Sequence, residues 1–217
     1  MATDDGRSHE GPLGLPVTLM HPTLIARPFH REGWIYEEKY DGWRLVGYKS
    51  AGQVWLLSRT PRDHTRRFPA LAAALAALAP PTLILDGEVV IFDAQLISRF
   101  AWLRQRAPEA VATPPIYMVF DLLRTGSHDL RGEPLRTRRA ALERLVSDQT
   151  LIFPARRLAA SGLTAWEEVQ QRAYEGLVAK DEASPYIGGR TLSWLKVKQR
   201  DYRMAARGFP SRSRYRR

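Results

Sequence analysis

Five lysines stand in a chain that carries 28 arginines. Such a bias often reflects base composition, but it makes each retained Lys worth inspecting, because Arg cannot replace Lys where a neutral amine or a compact charge is needed. Four of the five fall in strand-like segments that mix charge with β-formers: Lys39 in "EEKYDGWR" (37–44), Lys180 in "EGLVAK" (175–180), and Lys196 and Lys198 in "WLKVK" (194–198). A further segment of this kind, "LDGEVV" (85–90), contributes Asp86 and Glu88. Only an amine that loses its proton can act as a nucleophile. A lysine ordinarily titrates near about 10.4 and its ammonium is no nucleophile, but nearby cations and burial lower that value. Strand alternation puts Lys196 and Lys198 on one face and Leu195 and Val197 on the other. Two ammoniums on one face suit a bound anion such as phosphate, or a solvated edge strand. Asp86-Gly87 reads equally as a hairpin turn, and Lys49 as an ordinary surface residue.

In their order and spacing these segments resemble the nucleotidyltransferase (adenylation) domain of ATP-dependent DNA ligases, particularly the bacterial end-joining type. The family's motif I, Lys-x-Asp-Gly-x-Arg, is matched by Lys39-Tyr40-Asp41-Gly42-Trp43-Arg44. "SRTPRDHTRRFP" (58–69) follows, with Thr60-Pro61 where the family commonly has a polar turn such as Asn-Gly. Then come "LDGEVVIFD" with Glu88, "YMVFDLL" with Phe120 and Asp121, "EGLVAK" with Glu175 and Lys180, and "WLKVK". The likeness runs from about residue 20 to residue 203.

The resemblance implies that Lys39 attacks the α-phosphate of ATP, expels pyrophosphate and keeps AMP as a phosphoramidate. AMP then passes to a 5′-phosphate so that a DNA break is sealed in repair or recombination. By the same resemblance Glu88 and Glu175 hold Mg²⁺ (or Mn²⁺), Glu88 also being associated with the ribose. Lys196 and Lys198 hold the α-phosphate, and Arg44 and Arg59 contact ribose or phosphate. Phe120, which alone reads as a core residue, stacks on adenine. Lys180 belongs to the nucleotide-binding set. Glu37, two residues before the lysine, accepts from the adenine amino group and disfavours guanine, whose carbonyl at that position is itself an acceptor. Asp41 orders the turn, and Gly42 permits close backbone approach. Alternatives are an RNA ligase or capping-type nucleotidyltransferase on the same fold, and a non-catalytic nucleotide- or DNA-binding remnant.

The elements that must position these residues read as α+β. The resemblance implies a nucleotidyltransferase (ATP-grasp-like) fold of antiparallel sheets with flanking helices. "GWIYEEK", "WRLVGYKS" and "QVWLLSR" predict an antiparallel meander, with turns at Asp41-Gly42 and "SAG". A helix is expected from about Pro69 to Leu78, and another over "SRFAWLRQR". "TLILDGEVVIFD" reads as two β-rich runs around Asp86-Gly87, and "PIYMVFDLL" as a strand ending at Asp121. "RTRRAALERLV" predicts an amphipathic helix with Leu142, Leu145 and Val146 inward. "LIFPARRL" reads as a strand. Thr164, three residues before Glu167, suggests a capping box opening a helix. "GLVAKDE" and "SWLKVKQR" close the set as strands.

The bulk numbers agree with a nucleic-acid partner. Net charge is +10 and the pI about 10.3, and apolar residues make up 44% of the 217. Cationic side chains gain affinity by releasing phosphate counterions. With no Cys there is no disulfide framework and no thiolate zinc site, which fits a cytoplasmic protein. The five His lie without metal-ligand spacing and read as surface or loop residues. The longest apolar run, Leu71 to Ala79, is far short of the roughly 20 residues of a membrane span, so no membrane partner is expected. The expected organisation is a flexible tail over 1–20, an adenylation domain over 21–199 and an Arg-rich tail over 200–217. Only 19 residues follow Lys198, too few for the OB-fold barrel that follows in full-length ligases. The partners expected are therefore nicked or broken DNA and a protein that supplies an OB-fold or end-binding function.

Overall fold

The computed structural model describes residues 17–104, 113–200 and 202, so most of both expected tails lies outside the described residues. Two sheets carry the chain. The first takes the order β1 (Met20–Leu24), β10 (Gly189–Lys198), β9 (Gly176–Asp181), β2 (Trp34–Glu38). The second runs β4 (Gln53–Ser58), β3 (Trp43–Ser50), β5 (Leu83–Val90), β6 (Ile116–Thr125), β7 (His128–Asp129), with β8 (Ile152–Pro154) on β6. Pairing is mainly antiparallel, with one parallel pair in each sheet, β1 with β10 and β6 with β8. Helices α1 (Pro69–Ala77), α2 (Phe100–Arg104), α3 (Leu135–Leu145) and α4 (Gly162–Gln171) flank them.

The expected meander is corrected at its first turn. β2 pairs with β9, whereas β3 pairs with β4 and β5. Residues 39–42 therefore cross from one sheet to the other instead of closing a hairpin. Gly42 makes that crossing possible. A Cβ there would lie 2.6 Å from the Val89 carbonyl oxygen and 2.7 Å from Glu88 Cγ. The "SAG" turn does form a hairpin, with Ala51 and Gly52 at φ 48° and 77°, the two positive values a type I′ turn needs.

Asp86-Gly87 is not a turn. β5 continues through it, with a register shift against β6 between Asp86 and Gly87, and Gly87 is required because Tyr117 and the Met118 carbonyl press against its face, 2.6 and 2.7 Å from where a Cβ would sit. β6 likewise continues past Asp121 to Thr125. The capping box is also replaced. α4 starts at Gly162 after Ser161, so Thr164 lies inside the helix. Its start is set by contact: a Cβ on Gly162 would fall 2.0 Å from the Phe29 carbonyl oxygen.

One core lies under α1 and α3, built from Leu45, Leu71, Leu75, Tyr117, Leu142 and Val146, with Leu145 half-buried beside it. Another joins the two sheets through Val46, Tyr48 and Ile84 on one side and Tyr186 and Trp194 on the other. Leu195 and Val197 face a third core beneath α4, so Lys196 and Lys198 take the opposite face, as alternation predicts. Lys49 is not a surface residue. It is buried and donates to the Ala76 and Leu78 carbonyls, at 2.6 Å for the first, where α1 ends. An ammonium there meets both the orphan carbonyls and the negative end of the helix dipole.

Candidate active site

The crossing segment opens on a cavity of about 850 Å³ between the sheets. Of the residues singled out from sequence, Glu37, Lys39, Arg44, Arg59, Glu88, Phe120, Lys180 and Lys196 line it. Glu175 and Lys198 do not; they stand behind Lys39. Lys39 Nζ donates to Glu175 Oε2 at 2.6 Å, and Lys198 Nζ lies 2.8 Å from Glu175 Oε1. One carboxylate thus bridges two ammoniums.

Lys196 differs from both. No carboxylate stands within ion-pair distance of it among the described residues. Burial pushes its amine below the usual lysine range, and Lys39, Lys198 and Arg190 push it further. Glu88 is its counterpart of opposite sign. Burial raises its carboxyl to about 7, against the pull of Lys39 and Arg44. Asp41 is raised by burial and then by Glu175, while its Oδ2 accepts from the Phe100 N–H, 3.4 Å away, where α2 starts.

Arg44 lines the cavity, but its fork is committed elsewhere. Nε and Nη2 donate to the two Asp86 oxygens at 3.0 and 2.6 Å, and Nη2 also reaches the Met20 carbonyl. Tyr186 adds a hydroxyl donor to Asp86 Oδ2 at 2.6 Å. The guanidinium lies 5.2 Å from the Phe120 ring centroid. Phe120 meets Trp194 edge-on at 5.9 Å. Lys180 Nζ sits near both rings, 4.6 Å from Phe120 and 4.2 Å from Trp194, and 2.6 Å from Glu37 Oε2. Arg139 donates to the other Glu37 oxygen. Arg59 is exposed, beside the loop that Ser58 closes by donating its N–H to the Arg62 carbonyl and its hydroxyl to the Thr60 carbonyl.

Several residues of this setting were not singled out from the sequence. Arg138 is one: it pairs with the motif residue Asp121 through two bonds of 2.7 and 2.8 Å, both residues fully buried. Arg138 falls on the stripe of Leu142 and Val146, and a cation on an apolar stripe was the available signal. Two histidines are not plain surface residues. His64 is buried, 4.3 Å from the Trp43 ring, and half-buried His21 lies beside Arg44; both line the cavity. Burial, first, and neighbouring arginines, second, push both imidazoles below their usual range.

A divalent cation is implied by the family resemblance. Among the described residues no three His, Asp or Glu groups converge on one point. Mg²⁺ needs no such cluster, since it is commonly held by one or two carboxylates together with substrate phosphates. Glu88 fits such a site as it stands. Each Glu175 oxygen already faces a lysine, so a metal there would share the carboxylate with those ammoniums.

A family model described as ATP dependent DNA ligase domain matches residues 18–198. The chain belongs to this family. The multifunctional non-homologous end joining protein LigD of Mycolicibacterium smegmatis is 35% identical over 166 residues, 76% of this chain and 21% of that protein. The SPbeta prophage-derived DNA ligase-like protein LigB of Bacillus subtilis is 31% identical over 180 residues, covering 82% of this chain and 66% of the relative. The solved mycobacterial DNA ligase D complexed with ATP and MES superposes with a TM-score of 0.72 at 30% identity, over 84% of this chain and 60% of that one. The chain thus spans about a fifth to a quarter of the LigD relatives it matches. The ligase-domain fold accounts for the two mainly antiparallel sheets and the cleft between them.

Proposed function

We propose that this chain is the adenylation module of an ATP-dependent DNA ligase. The observation that carries the reading is Lys39, set on the crossing between the sheets, facing the cavity and backed by Glu175. The Lys39 amine, once deprotonated, attacks the α-phosphorus of ATP. The N–P bond forms, the bond from that phosphorus to the bridging oxygen breaks, pyrophosphate leaves with the electron pair, and the nitrogen sheds a second proton to give the phosphoramidate. Lys196 supplies positive charge to the α-phosphate, and its unshared ammonium suits a non-bidentate phosphate contact. Phe120, Trp194 and Val178 offer apolar faces for the base, and Glu37 an acceptor for its amino group.

In the resting protein Glu175 neutralises Lys39. When the amine becomes a phosphoramidate that ion pair is lost, and one carboxylate oxygen is freed. Glu88, joined then by Glu175, would hold Mg²⁺, which when bound offsets the charge of the phosphates.

AMP then passes from Lys39 to the 5′-phosphate of a DNA break, and attack by the adjacent 3′-hydroxyl releases AMP and seals the strand. The +10 net charge favours this polyanionic substrate. A separate protein or domain supplies the OB-fold clamp, and the protein works in the cytoplasm. No helix among the described residues is long and apolar enough to cross a membrane. The test is incubation with Mg²⁺ and ATP or GTP labelled on the α-phosphate. Acid-labile label from ATP, absent in Lys39→Ala, is the expected result. Label from GTP instead points to capping-type chemistry, and no label with any divalent metal overturns the enzyme reading. Transfer of the label to nicked DNA rather than nicked RNA is expected next.

A further inference from the structure

Glu37 is a buried carboxylate, 2% exposed, held by two different cations. Lys180 takes Oε2 at 2.6 Å from within the cavity wall. Arg139 takes Oε1 from outside it, reaching in from α3. The same guanidinium donates through Nη2 to the Ala155 carbonyl at 2.5 Å and through Nε to Glu143 at 2.9 Å. Ala155 also lines the cavity. One buried side chain, itself no part of the lining, therefore fixes two acceptors in the wall that holds Phe120 and Trp194.

We propose that Arg139 is the positioning residue that makes this cavity select a 6-aminopurine over a 6-oxopurine. The inference rests on the adenine-nucleotide reading given above. A carboxylate has about four lone-pair sites, so two cationic donors leave it able to accept from a base. A 6-amino group donates to it, whereas a 6-oxo group turns lone pairs against it. Such discrimination is large only when the acceptor cannot turn away or relax. Held by Lys180 alone, the carboxylate would pivot about its terminal torsion, which is intrinsically soft. Held at both oxygens, it cannot. Lys180 is itself wedged between two rings, so the second tether from α3 completes the constraint.

The test measures acid-labile labelling of the protein against nucleotide concentration, with α-labelled ATP, GTP and purine riboside triphosphate, which lacks the 6-substituent. Arg139→Met is expected to lower kcat/KM for ATP about 10- to 100-fold, mostly through KM, the scale of one charged hydrogen bond. GTP should change less than about threefold, so the ATP-to-GTP ratio falls by about tenfold or more. The advantage of ATP over purine riboside triphosphate should shrink likewise. In a Glu37→Gln background Arg139→Met should change the ratio no further, because it acts through Glu37. A fall that is equal for ATP and GTP, or a further shift in the Glu37→Gln background, overturns the proposal. Circular dichroism checks folding. If Arg139→Met does not fold, Arg139→Lys decides, with a smaller selectivity loss expected and an unchanged ratio overturning the idea. Wild-type protein that takes no label overturns the nucleotide reading and this inference together. Wild-type label with unaltered selectivity in the variants overturns this inference alone.

Discussion

Lys39 Nζ and Glu175 Oε2 stand 2.6 Å apart, and the other oxygen of that carboxylate is 2.8 Å from Lys198 Nζ. Two lysines share one counter-charge at the point where the chain crosses between sheets. On the proposed mechanism Lys39 gives up its charge before it bonds to phosphorus, and Glu175 then keeps only Lys198. The chemistry therefore changes the electrostatics of the site as it proceeds. A substitution that preserves the ion pair but forbids the chemistry isolates the second effect from the first.

Lys39→Arg is that substitution. The guanidinium keeps a cation against Glu175 but does not deprotonate in a protein. Labelling by α-labelled ATP is expected to vanish, while the melting temperature stays within about 2 °C, less than the shift that roughly 1 kcal/mol gives a domain of this size. Residual label in Lys39→Arg would move the nucleophile elsewhere.

Lys196→Ala separates binding from stability. Lys196 stands among Lys39, Lys198 and Arg190, its amine lowered by burial and by those charges. Removing it relieves repulsion in the free protein and, in its proposed role, removes a phosphate partner in the complex. KM for ATP should rise about 10- to 100-fold. Thermal unfolding without ligand should hold or move upward. A lower melting temperature together with an unchanged KM would show Lys196 to be structural.

How much of this was legible in the sequence depended on the range of the cause. The motif lysines and glutamates were singled out through their order and the family resemblance, and the "SAG" hairpin could be read because two positive-φ positions sit together. Asp41-Gly42 and Asp86-Gly87 looked like the same signal but were not turns. At both, the glycine is needed because another strand presses against its face, a fact that belongs to a distant part of the chain. Asp121, Arg138, Arg139 and Glu37 form buried pairs between residues 17 and 102 positions apart, and no local pattern announces such partners.

Gly42→Ala tests the crossing directly. The added methyl would meet the Val89 carbonyl oxygen at 2.6 Å and the Glu88 side chain at 2.7 Å. Backbone must shift, at a cost of about 1–3 kcal/mol typical of overpacking. Because Gly42 lies between Lys39 and Arg44, labelling should fall far more than chemical denaturation implies. Unaltered labelling would mean that the crossing tolerates displacement.

Lys49→Met removes the cap of α1 without touching the cavity. The buried amine is bonded to the Ala76 and Leu78 carbonyls, which lose their donor in the variant. A loss of about 1–3 kcal/mol is expected, the usual result of leaving buried polar groups unsatisfied. Labelling at a temperature where the variant remains folded should match the wild type. A loss below about 0.5 kcal/mol by urea titration, the range of an ordinary surface change, would contradict the capping role.

Glu38→Gln carries the pH dependence. The Glu38 side chain is 1% exposed, its Oε2 has no hydrogen bond, and Arg156 Nη1 lies 3.3 Å away. Burial raises its carboxyl from 4.5 to about 7, with Arg156 opposing, Glu168 of α4 adding to the rise and Arg172, just past α4, opposing it; Tyr40 and Tyr174 complete the surroundings of the Arg156 pair. The folded protein therefore binds this proton more tightly than the unfolded chain does. Stability must fall as pH rises from about 4.5 to about 7, and the deficit is complete above that window. Gln keeps the neutral shape at every pH. Glu38→Gln should thus be more stable than wild type by roughly 1–3 kcal/mol at pH 8, with the gain shrinking toward zero near pH 4.5. Denaturant titrations of both proteins at several pH values measure the difference, and a gain that does not vary with pH would refute the raised carboxyl.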